Sequence, residues 1–284
     1  MFEQATIIGP GLLGASLGMA LRRRSVSERT VVWARNPDRL EDCRKSEWCD
    51  QAEVELEAAL EGSELVVVCT PVASIPRFVS HALTACGTGS IVTDVGSVKG
   101  EICRAAEEAD GEGAFLGSHP IAGSEKSGMG FASADLFEDR PCILTPTGTT
   151  DQTVRDTTRA FWERLGMKVH FMTPDEHDQA FAFLSHLPHL LASSLAHCLD
   201  GAAGNWTDLS GKGLLDTTRI AEGDPALWEQ IMRMNKDNLL HSVKQLEASL
   251  GTAKELIRAG DEDGLKKFLE LGAEFRRSLG DGVK

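Results

Sequence analysis

His119 lies in a stretch of the chain whose residue types suit acid–base chemistry. The stretch, GSHPIAGSEKSG at residues 117–128, surrounds the imidazole with glycines and small residues and carries Glu125 a few positions downstream. Pro120 pushes the backbone of His119 out of the helical region, and the glycines allow tight turns and the close approach of a ligand. We expect His119 on a loop after the apolar run 114–116, where a histidine can act as a general base near neutral pH. The alternative is a structural histidine beside a turn.

Three more histidines lie close together later in the sequence. The segment SHLPH places His186 and His189 three residues apart beside Pro188, and His177 lies nine residues before His186. Three imidazoles can bind a metal ion, but no cysteine or carboxylate set with zinc-like spacing accompanies them. We therefore expect no metal site.

Arg219 offers a planar, fork-shaped cation in a mostly neutral stretch, DTTRIA at residues 216–221. Such a guanidinium can bind a carboxylate through two parallel hydrogen bonds. The alternative is a surface ion pair, which contributes little to stability. Because the net charge is −14, an anionic substrate would need a locally placed cation of this kind.

The elements that must position these side chains begin at the N-terminus. Residues 4–35 predict a strand, a glycine-rich turn, a helix and a second strand, with G-x-G-x-x-G at 9–14. A lone match to this motif is weak, but here it follows a strand and opens a helix, as dinucleotide binding requires. The first glycine permits the turn, the second lets the backbone approach a pyrophosphate, and the third allows close packing of helix on strand. The residues expected to contact the cofactor here are Gly9, Gly11, Leu12, Leu13 and Gly14.

The end of the second strand, WARN at 33–36, bears on the choice between NAD and NADP. NAD-binding proteins usually place Asp or Glu there, about 20 residues past the glycines, to bond the ribose 2′-hydroxyl. This chain has no carboxylate between Thr30 and Asn36. Ala34 removes the repulsion against a 2′-phosphate, and Arg35 can pair with it. NADP is therefore the expected cofactor; in the alternative, NAD binds and Arg35 is a solvated loop charge.

The following segments predict a parallel sheet. Apolar runs at 64–69 and 90–94 read as buried strands between helices. Near-continuous apolar strands of this kind indicate a parallel sheet covered on both faces, and ligands bind such sheets beyond the carboxyl ends of the strands. The residues expected at that edge are Thr70, Pro71, Ser97 and His119. Ser97 can also cap a helix expected over 98–108.

The last third of the sequence reads as helices. One is expected over 175–199 with a kink at Pro188. Apolar residues over 239–257 recur at alternating spacings of four and three, a coiled-coil-like seam that is either ordinary helix packing or a dimer interface. The sequence predicts an α/β Rossmann-type dinucleotide-binding domain over residues 1–172 and an all-α domain over 173–284.

Composition argues against several classes of partner. The 284 residues are 42% hydrophobic and 25% charged, a profile typical of globular proteins with room for two domains. The net charge of −14 argues against nucleic-acid and anionic membrane partners. We see no secretory signal and no apolar run long enough to span a bilayer. Seven scattered cysteines without a C-x-x-C pair suit a reducing compartment, so we expect a cytoplasmic protein.

Five motifs follow one another along the chain: GPGLLG at 9–14, DVGSVK at 94–99, HPIAGSE at 119–125, SHLPH at 185–189 and DTTRIA at 216–221. In this order they resemble the motifs of the prephenate/arogenate dehydrogenases, the oxidative decarboxylases of tyrosine biosynthesis. The resemblance covers nearly the whole chain. The glycine motif alone fits many families, whereas the motifs around His119 and Arg219 are specific. The resemblance implies a Rossmann-type domain followed by a helical dimerisation domain, and hence a homodimer.

The resemblance also implies a reaction and its catalytic residues. Prephenate would lose a hydride from ring C4 to NADP⁺ or NAD⁺ and then lose CO₂, giving 4-hydroxyphenylpyruvate. His119 would hydrogen-bond the C4 hydroxyl and assist its deprotonation, and Ser97 would orient both groups.

Substrate-binding positions carry over in the same way. Arg219 would bind the ring carboxylate, and His189 would contact the side-chain end, with His186 and His177 in supporting positions. Glu125 and Asp216 would shape the entrance of the site, and a charge network with Arg219 is one way in which they would do so. Trp228 would project towards the partner subunit's site.

Several alternatives stay open. A neutral donor at His189 suits the keto group of prephenate better than the ammonium of arogenate, so arogenate or dual use is the alternative. Leu214 and Leu215 stand where the family often has an aromatic and a basic residue, which removes one positive charge near the entrance. Two remoter readings are a β-hydroxyacid dehydrogenase, which would normally rely on a catalytic lysine in its helical domain, and a cofactor-binding sensor without catalysis.

Overall fold

The main sheet is six-stranded and parallel. A computed structural model describes residues 1–122, 128–202 and 206–280. The strands are Phe2–Ile8 (β1), Ser27–Trp33 (β2), Gln51–Glu53 (β3), Leu65–Val68 (β4), Ile91–Asp94 (β5) and Ala114–Phe115 (β6). They lie in the order β3-β2-β1-β4-β5-β6, and every neighbouring pair is parallel. This order reverses between β1 and β4, as in dinucleotide-binding Rossmann folds, and it confirms the predicted fold class.

Helices cover both faces of this sheet, which explains its apolar strands. The helices are Leu12–Arg24 (α1), Pro37–Arg44 (α2), Leu56–Leu60 (α3), Ile75–Ala85 (α4), Gly100–Glu107 (α5) and Gln152–Arg164 (α6). Alternate residues of β4 point to opposite faces. Leu65 and Val67 join the apolar cluster formed with α1 and α6, whereas Val66 and Val68 join the cluster formed with α4 and α5.

A second, three-stranded sheet carries His119. Its strands are Gly117–Pro120 (β7), Pro141–Thr145 (β8) and Lys168–Phe171 (β9). β7 pairs antiparallel with β8, with His119 opposite Ile143. The expectation of a loop at His119 was therefore wrong. Pro120 is compatible with the strand because β7 is at the edge of this sheet, where a missing N–H is tolerated.

The rest of the chain is helical, as predicted. The helices are Pro174–Phe181 (α7), Leu187–Ala202 (α8), Lys212–Thr218 (α9), Pro225–Met234 (α10), Lys236–Ala259 (α11) and Glu262–Ser278 (α12). The kinked helix expected over 175–199 is two helices separated by a π-helical turn, Ala182–His186. The turn comes immediately before α8, whose second residue is Pro188, and so adjusts the helix where Pro188 has no N–H to donate.

The chain forms two compact units, Met1–Asn235 and Lys236–Lys284. The first contains both sheets and α1 to α10, and the second is the hairpin of α11 and α12. The boundary predicted near residue 173 divides the chain by sheet and helix content, and it stays a prediction. Among the described residues, no helix combines the length and apolarity that crossing a membrane requires.

Candidate active site

The turn between β1 and α1 has the geometry that the glycine motif predicts. Gly9 has a φ of +98°, a left-handed conformation that favours glycine. A Cβ at Gly14 would lie 2.2 Å from the Gly9 carbonyl oxygen, so α1 can pack on the turn only because residue 14 has no side chain. A Cβ at Gly11 would meet nothing within 4 Å. The turn thus combines close helix–strand packing with open space at the helix N-terminus, which suits a pyrophosphate.

The end of β2 carries an exposed arginine and no carboxylate. Ala34 is buried, and Arg35 is exposed without an ion pair in the described part of the chain. α2 begins two residues later, with the side chain of Asn36 accepting a hydrogen bond from Asp38 N at 2.9 Å. Arg39 is exposed in the first turns of α2 and adds a second cation, which the sequence reasoning overlooked.

The predicted cofactor residues Thr70, Pro71 and Ser97 follow the carboxyl ends of β4 and β5. Thr70 follows β4, and its Cγ2 would be 3.0 Å from a Cβ at Gly9. Pro71 comes next and precedes the 3₁₀ turn Val72–Ser74. Ser97 is half-buried after β5, at the carboxyl end of the neighbouring strand. It does not cap α5, because that helix begins at Gly100 with Lys99 in the capping position, so the capping alternative was wrong.

Asp94 and Lys99 form an ion pair that is completely buried at the carboxyl end of β5. Lys99 Nζ also donates to the Ser118 carbonyl oxygen at 2.8 Å, and Asp94 Oδ1 accepts from Ser118 N at 3.1 Å. The pair therefore holds both backbone groups of the residue before His119. Because β7 belongs to the small sheet, these bonds fix the position of His119 relative to the main sheet.

His119, His177 and Asp178 form a chain of hydrogen bonds. His119 Nδ1 lies 2.8 Å from His177 Nε2, and His177 Nδ1 lies 2.8 Å from Asp178 Oδ1. Asp178 also accepts from the amides of Lys99 and Gly100 at 2.7 and 2.8 Å. Because an ionised carboxylate only accepts, His177 Nδ1 carries a proton, and His177 Nε2 accepts from His119 Nδ1–H. His119 is left with a lone pair on Nε2, as a general base requires.

The pKa values of these groups agree with that protonation pattern. Although burial raises it, hydrogen bonds from His177 and from two backbone amides hold the pKa of Asp178 below its usual value. Desolvation, followed by the charges of His177 and Lys99, lowers the pKa of His119 well below its usual value. Burial also lowers the pKa of His177. Phe181 contributes to this apolar setting, with its ring centroid 4.7 Å from that of His119 and 4.4 Å from that of His177.

A second pair of imidazoles lies beside Trp228. The His189 ring stacks on the Trp228 indole, with centroids 3.7 Å apart and planes at 13°. His186 and His189 are both buried, and burial lowers the pKa of His189 and brings that of His186 to about 4. Across the described ranges, His186 Nε2 and His189 Nδ1 have no hydrogen-bond partner. The two rings are therefore neutral and each keeps a polar atom for another partner.

Arg219 begins a 3₁₀ turn, Arg219–Glu222, directly after α9. It is exposed, and within the described residues it forms no ion pair, not even with Asp216 one turn earlier. The expected charge network between the two is thus absent from that part of the chain. The turn leads into Gly223, where a Cβ would be 3.0 Å from His189 Cε1, so it adjoins the histidine pair. Leu215, which stands where the family often has a basic residue, is 59% exposed.

The predicted roles of Glu125 and Trp228 stay predictions. Glu125 lies outside the described residues. Trp228 stacks on His189 of its own chain, and its approach to a partner subunit is not tested by a single chain.

Within the ranges that the structure covers, no three His, Cys, Asp or Glu side chains are grouped so that they could hold a metal ion.

Sequence reasoning missed the residues that hold the histidines in place. Asp178 orients His177, and Asp94 with Lys99 positions the start of β7. Asn235, at the end of α10, donates from Nδ2 to the Asp178 carbonyl oxygen at 2.7 Å and lies 3.1 Å from His186 Nδ1. Two sequence signals could have indicated three of these residues. They are the adjacent HD pair at 177–178 for Asp178, and the acid and base within DVGSVK for Asp94 and Lys99. No spacing rule links residue 235 to residues 178 and 186.

Two family models match the chain, one on each side of residue 172. The model described as "Prephenate dehydrogenase, nucleotide-binding domain" matches residues 17–171, and the model described as "Prephenate dehydrogenase, dimerization domain" matches residues 173–271. The first alone covers more than half of the sequence.

Whole-chain comparisons agree with these models. The cyclohexadienyl dehydrogenase of Zymomonas mobilis is 28% identical over 98% of this chain and 97% of its own length. The prephenate dehydrogenase of A. aeolicus, solved with hydroxyphenyl propionate and NAD⁺, is 30% identical and superposes with a TM-score of 0.90 over 98% of this chain and 99% of that chain. Synechocystis arogenate dehydrogenase is 30% identical, with a TM-score of 0.86 over 97% and 99% of the two chains. The chain belongs to the prephenate dehydrogenase family of NAD(P)-binding oxidoreductases.

Proposed function

We propose that this chain catalyses the oxidative decarboxylation of prephenate to 4-hydroxyphenylpyruvate, in tyrosine biosynthesis, with hydride transfer to NADP⁺ or NAD⁺. The observation that carries the proposal is the hydrogen-bond chain from Asp178 through His177 to His119, which prepares a neutral base. The residue before this base, Ser118, is bonded to Asp94 and Lys99 at the carboxyl end of β5. Dinucleotides bind such sheets at the carboxyl ends of the strands. Membership of the family supports the reaction class.

The proposed chemistry begins with a proton at His119. A nicotinamide cofactor, which the turn at Gly9, Gly11 and Gly14 would hold, supplies the hydride acceptor. His119 Nε2 takes the proton of the C4 hydroxyl while the hydride leaves C4, and the imidazolium that forms is stabilised through His177 by the charge of Asp178. The bond between the ring and its carboxylate then breaks to release CO₂, and the electron pair of that bond aromatises the ring. The C4 oxygen takes the proton back from the His119 imidazolium, and the loss of CO₂ makes the reaction effectively irreversible.

The remaining residues bind and orient the substrate in this proposal. Ser97 would position the C4 hydroxyl against His119, because it is half-buried at the end of β5. Arg219 would pair with the ring carboxylate; its exposure and lack of an ion pair among the described residues leave the guanidinium available. Asp216 and Glu125 would shape the entrance. His189, with His186 and Trp228, would contact the side-chain end.

The proposed substrate preference is prephenate over arogenate. Burial lowers the pKa of His189, so the ring is neutral near pH 7. It therefore carries no charge to pair with the side chain of prephenate or of arogenate. A neutral ring suits a keto group better than an ammonium, which would need an anion.

The proposed cofactor preference is NADP⁺ over NAD⁺. Ala34 puts no negative charge at the end of β2, and Arg35 and Arg39 provide two exposed cations there. A guanidinium pairs well with a phosphate. The relative of known structure from A. aeolicus was solved with NAD⁺, so NAD⁺ is the alternative.

We also propose a cytoplasmic homodimer. The C-terminal region matches a dimerization-domain model, and α11 and α12 expose large apolar side chains, which suit a subunit interface. The seven cysteines are free thiols, as is usual in a reducing compartment.

Steady-state assays with both substrates and both cofactors test the proposal. Reduced cofactor is followed by absorbance, and 4-hydroxyphenylpyruvate or tyrosine by chromatography. We expect the highest kcat/KM with prephenate and NADP⁺. A tenfold or larger preference for arogenate would overturn the substrate assignment, and no reduced cofactor from either substrate at pH 8 would favour a non-catalytic sensor.

A further inference from the structure

Asn235 joins the two histidine pairs of the site. Its Nδ2 lies 2.7 Å from the backbone carbonyl oxygen of Asp178, the residue that orients His177, and 3.1 Å from Nδ1 of His186. It is buried at the end of α10, with 3% of its surface exposed. One amide group thus contacts both the residue that orients His177 and one of the two histidines beside Trp228.

These contacts determine the tautomer of His186. A carbonyl oxygen can only accept, so the atom of Asn235 that faces Asp178 must be the amide nitrogen. The second hydrogen of the same nitrogen is then available to His186 Nδ1, which must accept it through a lone pair. His186 is buried and neutral, and therefore its proton lies on Nε2.

The Nε2–H of His186 is a buried donor without an acceptor in the described part of the chain. An unpaired buried donor is costly, so a ligand that brings an oxygen acceptor is favoured. An ammonium group has no lone pair and would meet this N–H with like polarity. The π-helical turn Ala182–His186 ends at this histidine, and such turns are frequent at functional sites.

We propose that Asn235 is a positioning residue that holds His186 as an Nε2–H donor, and that this donor makes the site select a hydrogen-bond acceptor over an ammonium at the side-chain end of the substrate. The inference rests on the proposed function, in which His186 and His189 receive that end of the keto acid. It adds a residue that contacts no substrate and still sets the polarity that the substrate meets.

The variant Asn235→Asp tests the selection. An oxygen in place of Nδ2 accepts from His186 Nδ1–H, which leaves a lone pair on Nε2 and reverses the polarity that the substrate meets. At pH 8 we expect kcat/KM for prephenate to fall by roughly 10- to 100-fold, the scale for a buried polar group left unpaired, and kcat/KM for arogenate to fall less. The arogenate-to-prephenate ratio of kcat/KM should therefore rise about tenfold or more.

Gln230→Glu is the matched control. Gln230 lies on the same helix and accepts from Ala73 N through Oε1, so glutamate keeps that bond and adds the same charge. We expect its arogenate-to-prephenate ratio of kcat/KM to equal that of the wild type. If Asn235→Asp lowers kcat/KM for both substrates by one common factor, Asn235 only ties α10 to α7 and the selection is refuted.

Nitrogen-15 spectra of the histidines test the tautomer directly and do not depend on any variant of Asn235 folding. The His186 signals are those lost in His186→Gln. We expect the Nε2–H form in the wild type at pH 8, and an Nδ1–H form would overturn the proposal. A wild type that shows the Nε2–H form but turns over neither substrate would contradict the proposed function instead, and with it the selection.

Discussion

At the scale of single residues, His119 depends on two neighbours for its protonation state. Asp178 accepts from His177 Nδ1–H, and His177 Nε2 then accepts from His119 Nδ1–H. Each bond fixes one tautomer and passes the constraint on. The lone pair on His119 Nε2 is therefore set by a carboxylate two hydrogen bonds away. A histidine without such partners would share its proton between both nitrogens.

The pH dependence of the reaction should reflect the pKa of His119. The base must be unprotonated, and its pKa lies well below the usual value of 6.5 because of desolvation. Activity that requires the neutral form is present above the pKa and is lost as pH falls through it. We expect kcat/KM for prephenate to stay level from pH 8 to below 6.5 and to fall tenfold per unit only once the pH is below the lowered pKa of His119. A decline that begins above pH 7 would contradict the lowered pKa.

Arg219→Gln should weaken substrate binding more than turnover. The guanidinium is assigned to the ring carboxylate, and the loss of a charge pair that is desolvated on binding costs about 2–4 kcal/mol. KM for prephenate should rise by a factor on the order of 10², with kcat within a few-fold of the wild type. Arg159→Gln, which removes an exposed cation paired with Glu163 on α6, is the control. An unchanged KM would make Arg219 structural.

At the scale of elements, β7 is the strand that brings the base to the cofactor edge. It pairs with β8 in the small sheet, but Ser118 is bonded to Asp94 and Lys99 at the end of β5. α7 supplies His177 and Asp178, and Asp178 accepts from the first amides of α5. Five elements, β5, α5, β7, β8 and α7, therefore fix the position of one imidazole.

The variant Lys99→Met should destabilise the fold. It leaves Asp94 charged and completely buried without its partner, which costs about 3–5 kcal/mol. Urea unfolding followed by circular dichroism measures the loss. The double variant Asp94→Asn with Lys99→Met removes the unpaired charge and should recover part of the stability. If Lys99→Met alone leaves the unfolding midpoint unchanged, the buried pair does not hold the two sheets together.

Local patterns predicted the elements that are defined by nearby residues. The helix predicted after the glycine motif is α1, because the glycine turn and the apolar spacing lie in one short segment. His119 was expected on a loop because its strand partner, Ile143, is more than 20 residues away and follows from pairing rather than propensity. Asn235 was missed for the same reason, since its role arises only after α7, α8 and α10 have packed, whereas the adjacent HD pair at 177–178 was a local signal for Asp178.

At the scale of the whole molecule, the α11–α12 hairpin exposes an apolar surface. In the seam predicted over 239–257, Leu239 is buried, but Leu250 and Ile257 are 57% and 65% exposed. On α12, Phe275 and Leu269 are 63% and 62% exposed. Exposed apolar surface of this kind marks a protein interface. The seam is thus only partly satisfied within one chain.

We expect a second copy to cover this surface in solution. Sedimentation equilibrium should give twice the chain mass of 30.6 kDa. Leu250→Asp puts a charge on the exposed seam and should shift the equilibrium towards the monomer. Thr149→Asp adds the same charge on an exposed loop before α6 and should leave the dimer intact. A wild type that sediments at the mass of one chain at micromolar concentration would refute this interface.

The turnover of His119→Asn with prephenate and a saturating cofactor tests directly whether His119 is the general base. Asparagine fits the space near His177 but cannot accept the hydroxyl proton. We expect kcat to fall by roughly 10²–10⁴, the usual scale for a general base, while cofactor binding and thermal stability stay close to those of the wild type. An unchanged kcat would show that His119 is not the base, and the hydrogen-bond chain from Asp178 would then be structural.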